Sequence, residues 1–344
     1  MTPHPRTINV LVCTSLTDTL FDKLARFDPR VRVTDAAALL LPELPTALRP
    51  GQSWPPLRAP GQSLDQLLAG AEVILSARRL PKDVARRSPR LRWVQSPLAG
   101  VDWLKDTDLW GREDILLTSA SGINARPVAE YTFMAIMALS KDVRRIFRSQ
   151  EQRTWDRFEP AQLHGKTIGI VGYGAIGREV ARIAQAFGMR VIAVKRRVTS
   201  GEGLPDWVWP VDRLPRLLAE ADYVVLSVPG ATQTRGMIGP REIATMKSSA
   251  VLVNVSRGDV VDEEALTDAL RRELLAGAAL DVFRTEPLPK DSPLWTMPNV
   301  LVSGHLAGLF ANYDSSLLDL FTENLRLYLE GRPLRNVVDR AAGY

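Results

Sequence analysis

Three side chains in the second half of the sequence, Arg257, Glu286 and His305, could together hold an anion and move a proton. A guanidinium binds a carboxylate through two parallel hydrogen bonds, and a carboxylate beside an imidazole stabilises its protonated form. Taken alone, Arg257 is also typical of a structural salt bridge, and His305 of a structural histidine. Each of the three follows an apolar run typical of a buried strand. The carboxyl ends of parallel strands meet at one edge of a sheet, so we expect all three on one rim.

A glycine-rich turn with the sequence GYGAIG lies between a strand-like run at 167–171 and a helical stretch at 176–187. In this context glycines permit a tight turn, close approach of the backbone to a pyrophosphate, and close packing of helix on strand. The helix N-terminus adds amides and the positive end of its dipole. The turn and the acid/base pair together predict hydride transfer to or from a carbonyl. The residues predicted to contact the cofactor here are Gly172, Gly174, Ala175, Ile176 and Gly177.

Basic residues end the next strand-like run, at 190–194, where NAD sites usually place Asp or Glu for the ribose 2′-hydroxyl. This sequence has Lys195, Arg196 and Arg197 there. Guanidinium groups bind a 2′-phosphate that a carboxylate would repel. The pattern therefore predicts NADP(H) in preference to NAD(H), and the alternative is a solvated basic turn without a ligand.

The composition favours a folded protein that binds a small anion. The chain has 344 residues, is 45% hydrophobic, and carries 44 Lys and Arg against 39 Asp and Glu, a formal charge of +5. The basic residues are dispersed, so neither a nucleic-acid partner nor a membrane is expected. Cys13 is the single cysteine, which excludes an internal disulfide and a multi-cysteine zinc site, and no metal is expected. No run of 18 apolar residues and no cleavage-like signal occurs, so we expect a cytoplasmic protein.

Strand-like and helical runs alternate along the sequence, which predicts the α/β class with parallel sheets. We expect two Rossmann-like domains, with a doubly wound nucleotide domain (122–307) inserted into a smaller discontinuous substrate domain (1–121 and 308–344). A long helix from about 128 through Arg148 is predicted to join them, and a helix at 315–330 to return to the first region. A proline-rich segment at 41–62 carries Trp54 and is predicted to be a surface loop, which either covers the site or is inert.

Six stretches distributed between residues 96 and 308 resemble the D-isomer-specific 2-hydroxyacid dehydrogenase family. Their joint pattern is highly specific. The stretches are SPLAGVD at 96–102, NARPVAE at 124–130, VGYGAIG at 171–177, NVSRGDVVDEEAL at 254–266, ALDVFRTEPL at 279–288 and SGHLAG at 303–308.

The resemblance implies His305 as general acid, Glu286 as its partner and Arg257 as clamp for a 2-keto or 2-hydroxy acid of D configuration. It also implies a homodimer built around the linking helix. SPLAGVD, the Arg196-Arg197 pair and Val338-Asp339-Arg340 look most like the glyoxylate/hydroxypyruvate reductase branch. The implied substrate-binding amides belong to Leu98, Ala99, Gly100 and Val101. Further implied cofactor contacts are Val228, Pro229, Thr234, Val255, Ser256 and Asp281.

Other functions remain open at this point. Formate and phosphite dehydrogenases have similar folds, although Glu286 disfavours the former, which lacks the acidic partner of the histidine. A nucleotide-sensing protein of the corepressor type can retain all three site residues. Many family members have proline before the histidine, whereas this sequence has Gly304, which leaves the loop less stiff. Arg78 and Arg79 are predicted to reach a second anionic group or, alternatively, to form a solvated turn.

Overall fold

A computed structural model describes residues 7–40, 61–198 and 205–344 of the chain. The predicted loop around Trp54 lies outside these residues, apart from its last two positions. The chain divides into two compact units, residues 1–123 with 311–344 and residues 124–310. The prediction placed these boundaries after residues 121 and 307.

The first unit contains a five-stranded, all-parallel sheet in the order β2-β1-β3-β4-β5. Its strands are β1 Ile8–Val12, β2 Val31–Asp35, β3 Val73–Leu75, β4 Trp93–Gln95 and β5 Leu116–Thr118. Its helices are α1 Asp18–Ala25, α2 Ala37–Leu40, α3 Leu64–Gly70, α4 Val84–Arg87 and α11 Tyr313–Leu329.

Helix α11 covers one face of this sheet, although it is more than 190 residues away from β5 in sequence. Its Phe321 ring stacks on Trp93 of β4 with ring centroids 5.1 Å apart, and both side chains are fully buried. Burying one such side chain stabilises the fold by about 2 kcal/mol. The helix ends before Gly331, whose φ of +66° closes the last turn as a glycine can.

The second unit contains a seven-stranded parallel sheet in the order β12-β11-β10-β9-β6-β7-β8. Its strands are β6 Thr167–Val171, β7 Arg190–Lys195, β8 Trp207–Pro210, β9 Tyr223–Leu226, β10 Val251–Asn254, β11 Gly277–Leu280 and β12 Val300–Val302. Its helices are α5 Ala125–Ser140, α6 Val143–Glu151, α7 Ala175–Ala186, α8 Leu214–Glu220, α9 Pro240–Thr245 and α10 Glu263–Arg271.

Alternate residues of the central strands enter two separate cores, one on each face of the sheet. On β9, Val224 and Leu226 belong to one core and Tyr223 and Val225 to the other. A sheet covered on both faces needs strands that are apolar at every position, and this is the sequence pattern that predicted them. The α/β fold class with two parallel-sheet domains is therefore confirmed.

The strand order reverses between β6 and β9, the first and fourth strands of this unit. Open parallel sheets bind ligands in the crevice outside such a reversal, at the carboxyl ends of the strands. This is the place that the GYGAIG turn occupies, because it follows β6 directly.

The predicted single helix through Arg148 is wrong, since the structure has two helices, α5 and α6. The chain breaks at Asp142, which has a φ of +47°, and its carboxylate accepts the backbone N–H of Arg145 at 3.2 Å. An aspartate that caps the N-terminus of a new helix ends the preceding one. Strands β2 and β8 were not predicted. Both are sheet edges, and the polar residues of β2 and Pro210 of β8 obscure their strand character.

Within the part of the chain that the structure describes, no helix is both long and apolar enough to cross a bilayer.

Candidate active site

The glycine turn fits a pyrophosphate because of what each glycine makes room for. Gly172 has a φ of +103°, and a Cβ there would lie 2.8 Å from the backbone of Ser227, past the end of β9. A Cβ on Gly177 would lie 2.4 Å from the Gly172 carbonyl oxygen, so only glycine lets α7 pack this closely. Gly174 is exposed, and among the described residues no heavy atom lies within 4 Å of its would-be Cβ. The turn thus leaves open space before the first amides of α7, including those of Ala175 and Ile176.

The basic run lies beside this turn. Lys195 ends β7, and the backbone N–H of Gly172 donates to the Val194 carbonyl at 3.0 Å, which joins the turn to that strand end. Arg196 and Arg197 follow and are exposed. Their position matches the end of the second strand, where a dinucleotide site contacts the ribose.

The loop after β9 contains the other predicted cofactor residues, Val228, Pro229 and Thr234. The Thr234 hydroxyl donates to the Pro229 carbonyl at 2.7 Å and accepts the Ala231 N–H at 3.0 Å. This threonine is buried and braces the loop. The structure therefore gives it a role in loop shape, and cofactor contact by this loop stays a prediction.

Asn254, the last residue of β10, shapes the turn that presents Arg257. Its Oδ1 accepts both the N–H and the hydroxyl of Ser256, at 3.1 and 2.7 Å, and its Nδ2 donates to the Arg257 carbonyl at 3.0 Å. The Asn254 side chain is 1% exposed. Asn254 was not among the predicted site residues, although a polar residue at the end of an apolar strand was a signal that could have found it. Val255 and Ser256, predicted to contact the cofactor, are also buried in this turn.

His305 and Glu286 form the pair that the sequence predicted. The Nδ1 of His305 lies 2.8 Å from the Oε2 of Glu286, and the other carboxylate oxygen accepts the backbone N–H of Phe283 at 3.0 Å. The imidazole is about half exposed. Because Nδ1 faces the carboxylate, Nε2 is the nitrogen left to meet a ligand.

The pKa of Glu286 lies below its ordinary value. Partial burial by itself would raise this pKa, but hydrogen bonds from His305 and from the Phe283 N–H lower it, as do the charges of His305 and Arg257. The net direction is downward, so the carboxylate stays ionised at neutral pH. Arg257 therefore lies close enough to act electrostatically on the pair.

Asp281 holds the backbone of the histidine loop. Its Oδ1 accepts the Ser303 hydroxyl at 2.6 Å and the Leu306 N–H at 2.9 Å, its Oδ2 accepts the Ala307 N–H at 2.9 Å, and its carbonyl accepts the His305 N–H at 2.8 Å. His305 has a φ of +52°, a left-handed conformation that a non-glycine residue keeps only when its surroundings impose it. These bonds supply that constraint. Cofactor contact by Asp281 itself stays a prediction, since both carboxylate oxygens already accept hydrogen bonds.

A tyrosine that the sequence analysis missed extends this network. The hydroxyl of Tyr131, on α5, is hydrogen-bonded to the Ser303 hydroxyl. Burial raises the pKa of Tyr131, its hydrogen bond with Ser303 opposes that rise, and the charge of Asp281 adds to it, so the phenol stays protonated. Helix α5 is thereby linked to the loop of His305.

Gly258 lets the arginine turn approach the segment that carries Glu286. A Cβ on Gly258 would lie 1.9 Å from the Phe283 carbonyl carbon and 2.3 Å from the Arg284 nitrogen. Both are backbone atoms, which cannot move aside as a flexible side chain can. Gly304, by contrast, meets no atom within 4 Å among the described residues and does not have a positive φ.

The predicted substrate loop belongs to the first unit and follows β4. The Leu98 N–H donates to the Ser96 hydroxyl oxygen at 3.1 Å. Among the described residues, the amides of Ala99, Gly100 and Val101 donate no hydrogen bond. Ala99 and Gly100 are partly exposed, so their amides are open to a ligand, whereas Val101 is buried. The role of the loop stays a prediction. Arg78 and Arg79 follow β3, the strand next to β4 in the sheet.

The structure brings Arg257, Glu286 and His305 to the carboxyl ends of β10, β11 and β12, three neighbouring strands of one sheet. The described residues include no group of three His, Cys, Asp or Glu side chains that could hold a metal ion. Proton transfer and anion binding are the chemistry that these three side chains can perform.

Comparison with known proteins agrees with this geometry. The family model described as "D-isomer specific 2-hydroxyacid dehydrogenase, NAD binding domain" matches residues 133–307. A glyoxylate reductase of Korarchaeum cryptofilum is 34% identical over 279 residues, 78% of this chain and 82% of that protein. A D-3-phosphoglycerate dehydrogenase of Methanocaldococcus jannaschii is 32% identical over 288 residues, which cover 82% of this chain but 55% of that longer relative.

Among solved structures, the NADPH-dependent glyoxylate/hydroxypyruvate reductase of Sinorhizobium meliloti, in complex with NADP and sulfate, superposes with a TM-score of 0.77. It is 26% identical, and the match covers 98% of this chain and all of that one. The chain belongs to the D-isomer specific 2-hydroxyacid dehydrogenase family. It is an oxidoreductase with an NAD(P)-binding domain, as the resemblance of its motifs implied.

We predict that Gly258→Ala lowers kcat/KM by at least about a hundred-fold, because the added methyl group forces the Arg257 turn away from Glu286. Thermal unfolding should also occur several degrees lower, since backbone atoms must shift to admit the methyl group. Steady-state kinetics and a thermal melt measure both effects.

Gly304→Ala is the matched control, since it adds the same methyl group in open space beside His305. It should keep both values close to those of the wild type. Equal losses in the two variants would show that the close approach at Gly258 is not what the site requires.

Proposed function

We propose that this protein reduces small 2-keto acids to D-2-hydroxy acids with NADPH, and that glyoxylate and hydroxypyruvate are its preferred substrates. The observation that carries the proposal is the His305–Glu286 pair, with Nδ1 and Oε2 2.8 Å apart, on the sheet edge that also carries Arg257 and the glycine turn. In the overall reaction the keto acid, NADPH and one proton give the hydroxy acid and NADP⁺. When bound, the cofactor supplies the hydride.

The chain's own residues account for substrate binding and proton transfer. Arg257 binds the carboxylate of the keto acid and polarises the neighbouring carbonyl. The partly exposed amides of Ala99 and Gly100 are the second set of donors proposed for that carboxylate. His305 donates a proton from Nε2 to the oxygen that becomes the hydroxyl, and ionised Glu286 stabilises the imidazolium before the transfer.

The substrate class rests on the site and on the relatives. A guanidinium that can form two parallel hydrogen bonds, together with a proton donor, suits a carboxylate with an adjacent carbonyl. The relative in Korarchaeum cryptofilum is named a glyoxylate reductase, and the Sinorhizobium meliloti structure a glyoxylate/hydroxypyruvate reductase. The match covers 82% of the first protein and all of the second, which supports the same substrates here.

To test the function, NADPH oxidation is measured with a panel of short and bulky 2-keto acids. We expect fast turnover with glyoxylate or hydroxypyruvate, and a loss in kcat of at least about a hundred-fold for His305→Ala with little loss of NADPH affinity. Tight NADPH binding without turnover across the panel would instead support a nucleotide sensor.

The Glu286→Gln variant tests the pair itself within the same assay. Because the pKa of Glu286 is lowered, its carboxylate remains charged from weakly acidic to alkaline pH and favours protonated His305. The amide carries no charge and cannot stabilise the imidazolium, so kcat for keto-acid reduction should fall about ten-fold or more while KM for NADPH changes little. An unchanged kcat would remove Glu286 from this role.

We further propose that NADP(H) is preferred over NAD(H). The support is the position of Lys195, Arg196 and Arg197 at the end of β7, next to the glycine turn, together with the lack of Asp or Glu at these positions. Guanidinium groups there suit the 2′-phosphate. The Sinorhizobium meliloti structure contains NADP.

The double variant Arg196→Ala, Arg197→Ala should raise KM for NADPH about ten-fold or more while KM for NADH changes little, because only NADPH carries the 2′-phosphate. Arg182→Ala is the control, since it removes a cation about two turns into α7, beyond the helix N-terminus, where its Nε donates to Glu179. If both cofactors weaken equally, or if wild-type enzyme prefers NADH, the assignment is wrong.

We also propose that the protein forms a homodimer through α6 and the segment that follows it. Every residue of α6 is at least partly exposed, and Phe147 and Trp155 are 59% and 92% exposed. Thr154 and Asp156, which flank Trp155, help to line a groove of about 890 Å³ that also borders the amino ends of β10, β11 and β12. Exposed aromatic residues beside an apolar groove are typical of a self-complementary interface.

The Trp155→Ala variant should weaken the dimer about a hundred-fold, because buried tryptophans are among the residues that contribute most to interfaces. Sedimentation equilibrium gives the dissociation constant. Trp207→Ala is the matched control, since Trp207 is also exposed and lies in the same unit, on edge strand β8. A monomeric wild-type protein, or equal effects of the two substitutions, would contradict this interface.

A further inference from the structure

The loop predicted to bind the substrate is supported from below by buried polar side chains. Gln95, the last residue of β4, is fully buried, and its Nε2 donates to the Ser96 carbonyl at 2.9 Å. Its Oε1 accepts the Thr118 hydroxyl at 2.8 Å and Nδ2 of Asn324, on α11, at 3.2 Å. Because buried hydrogen bonds are costly to break, this network fixes where the loop begins.

The next residues form a tight turn. The Ser96 hydroxyl accepts the Leu98 N–H at 3.1 Å, and the Leu98 carbonyl accepts the Ala120 N–H at 3.0 Å. Both the N–H and the carbonyl of Leu98 are therefore hydrogen-bonded. Directly after it come Ala99 and Gly100, whose amides are open to a ligand.

Tyr313, which lies outside this loop, also forms a hydrogen bond with it. It is the first residue of α11, and its hydroxyl donates to the Pro97 carbonyl at 2.5 Å. Within the described ranges, no other side chain from outside the loop forms a hydrogen bond with residues 97–101. Pro97 is buried, so an unpaired carbonyl there would be unfavourable.

We propose that Tyr313 is a positioning residue for substrate binding, which holds the Pro97–Leu98 peptide so that the Ala99 and Gly100 amides meet the carboxylate of the keto acid. This inference rests on the proposed function, since it assigns those amides to a 2-keto acid. It gives α11 a part in the substrate site in addition to covering the sheet.

The Tyr313→Phe variant tests this role, because it removes the hydroxyl and keeps the ring. Loss of one hydrogen bond to a buried carbonyl should raise KM for glyoxylate or hydroxypyruvate about five-fold. The values of kcat and of KM for NADPH should stay within about two-fold, since the variant changes carboxylate binding and leaves the proton donor in place.

The chain offers a matched control in Tyr328→Phe. Tyr328 lies on the same helix, and its hydroxyl donates to Glu72 Oε1 at 2.9 Å. Glu72 directly precedes β3, so this hydrogen bond lies at the amino ends of the strands, whereas the loop follows the carboxyl end of β4. The same hydroxyl deletion there should leave KM for the keto acid unchanged. Equal KM increases in both variants would indicate a general loss of stability and would overturn the proposal.

Hydrogen exchange measured by mass spectrometry adds a readout that needs no turnover. In Tyr313→Phe, peptides that contain the amides of Leu98 and Ala120 should exchange faster than in wild type or in Tyr328→Phe. Unchanged exchange together with an unchanged KM would overturn the proposal. If the wild-type protein reduces no 2-keto acid, the substrate role falls with the proposed function, while faster exchange would still show that Tyr313 anchors the loop.

Discussion

The active-site edge depends on one buried carboxylate. Asp281 is 2% exposed and accepts hydrogen bonds from three groups of the histidine loop. These bonds hold His305 in its left-handed backbone conformation, which ordinary residues avoid. That conformation turns the imidazole toward Glu286, which lies five residues after Asp281 in the chain. The same strand end thus supplies both the constraint on His305, the proposed proton donor, and its acidic partner.

Strand order explains why such distant residues can cooperate. Residues of β10, β11 and β12 are paired in parallel, and Asn254 of β10 stands opposite Leu280 of β11, which stands opposite Val302 of β12. Whatever follows these three positions must emerge at one edge. Short extensions beyond each strand then carry the functional groups into the crevice. Gly258 is required in this arrangement because the turn after β10 contacts the backbone of the segment that follows β11.

The sequence predicted every strand except the edge strands β2 and β8, together with the glycine turn and the three site residues, because each of these has a local signature. Apolar runs mark buried strands, and chemistry-bearing residues just past them mark the rim. What it did not predict has no such signature. The break at Asp142 depends on one side chain capping a helix within a stretch that is helical on both sides. Tyr131 and Tyr313 each form one hydroxyl hydrogen bond from a helix whose sequence pattern is that of an ordinary amphipathic helix. Only the structure shows the groups that these hydroxyls contact.

Burial separates the groups that hold the site from the groups that act in it. Asn254 and Gln95 are 1% and 0% exposed, whereas the side chains of Glu286 and His305 are 37% and 49% exposed. A supporting hydrogen bond is most effective where water cannot compete for it, and a reacting group must be reachable by its substrate. Both requirements are met where a buried polar residue closely precedes a site residue in the chain. Asn254 before Arg257 and Asp281 before Glu286 satisfy this condition, at separations of three and five residues. The same Asp281 accepts the hydroxyl of partly buried Ser303, which precedes His305 by two residues. A buried polar residue at the end of an apolar strand is therefore as informative a sign of this kind of site as the exposed residue that follows it.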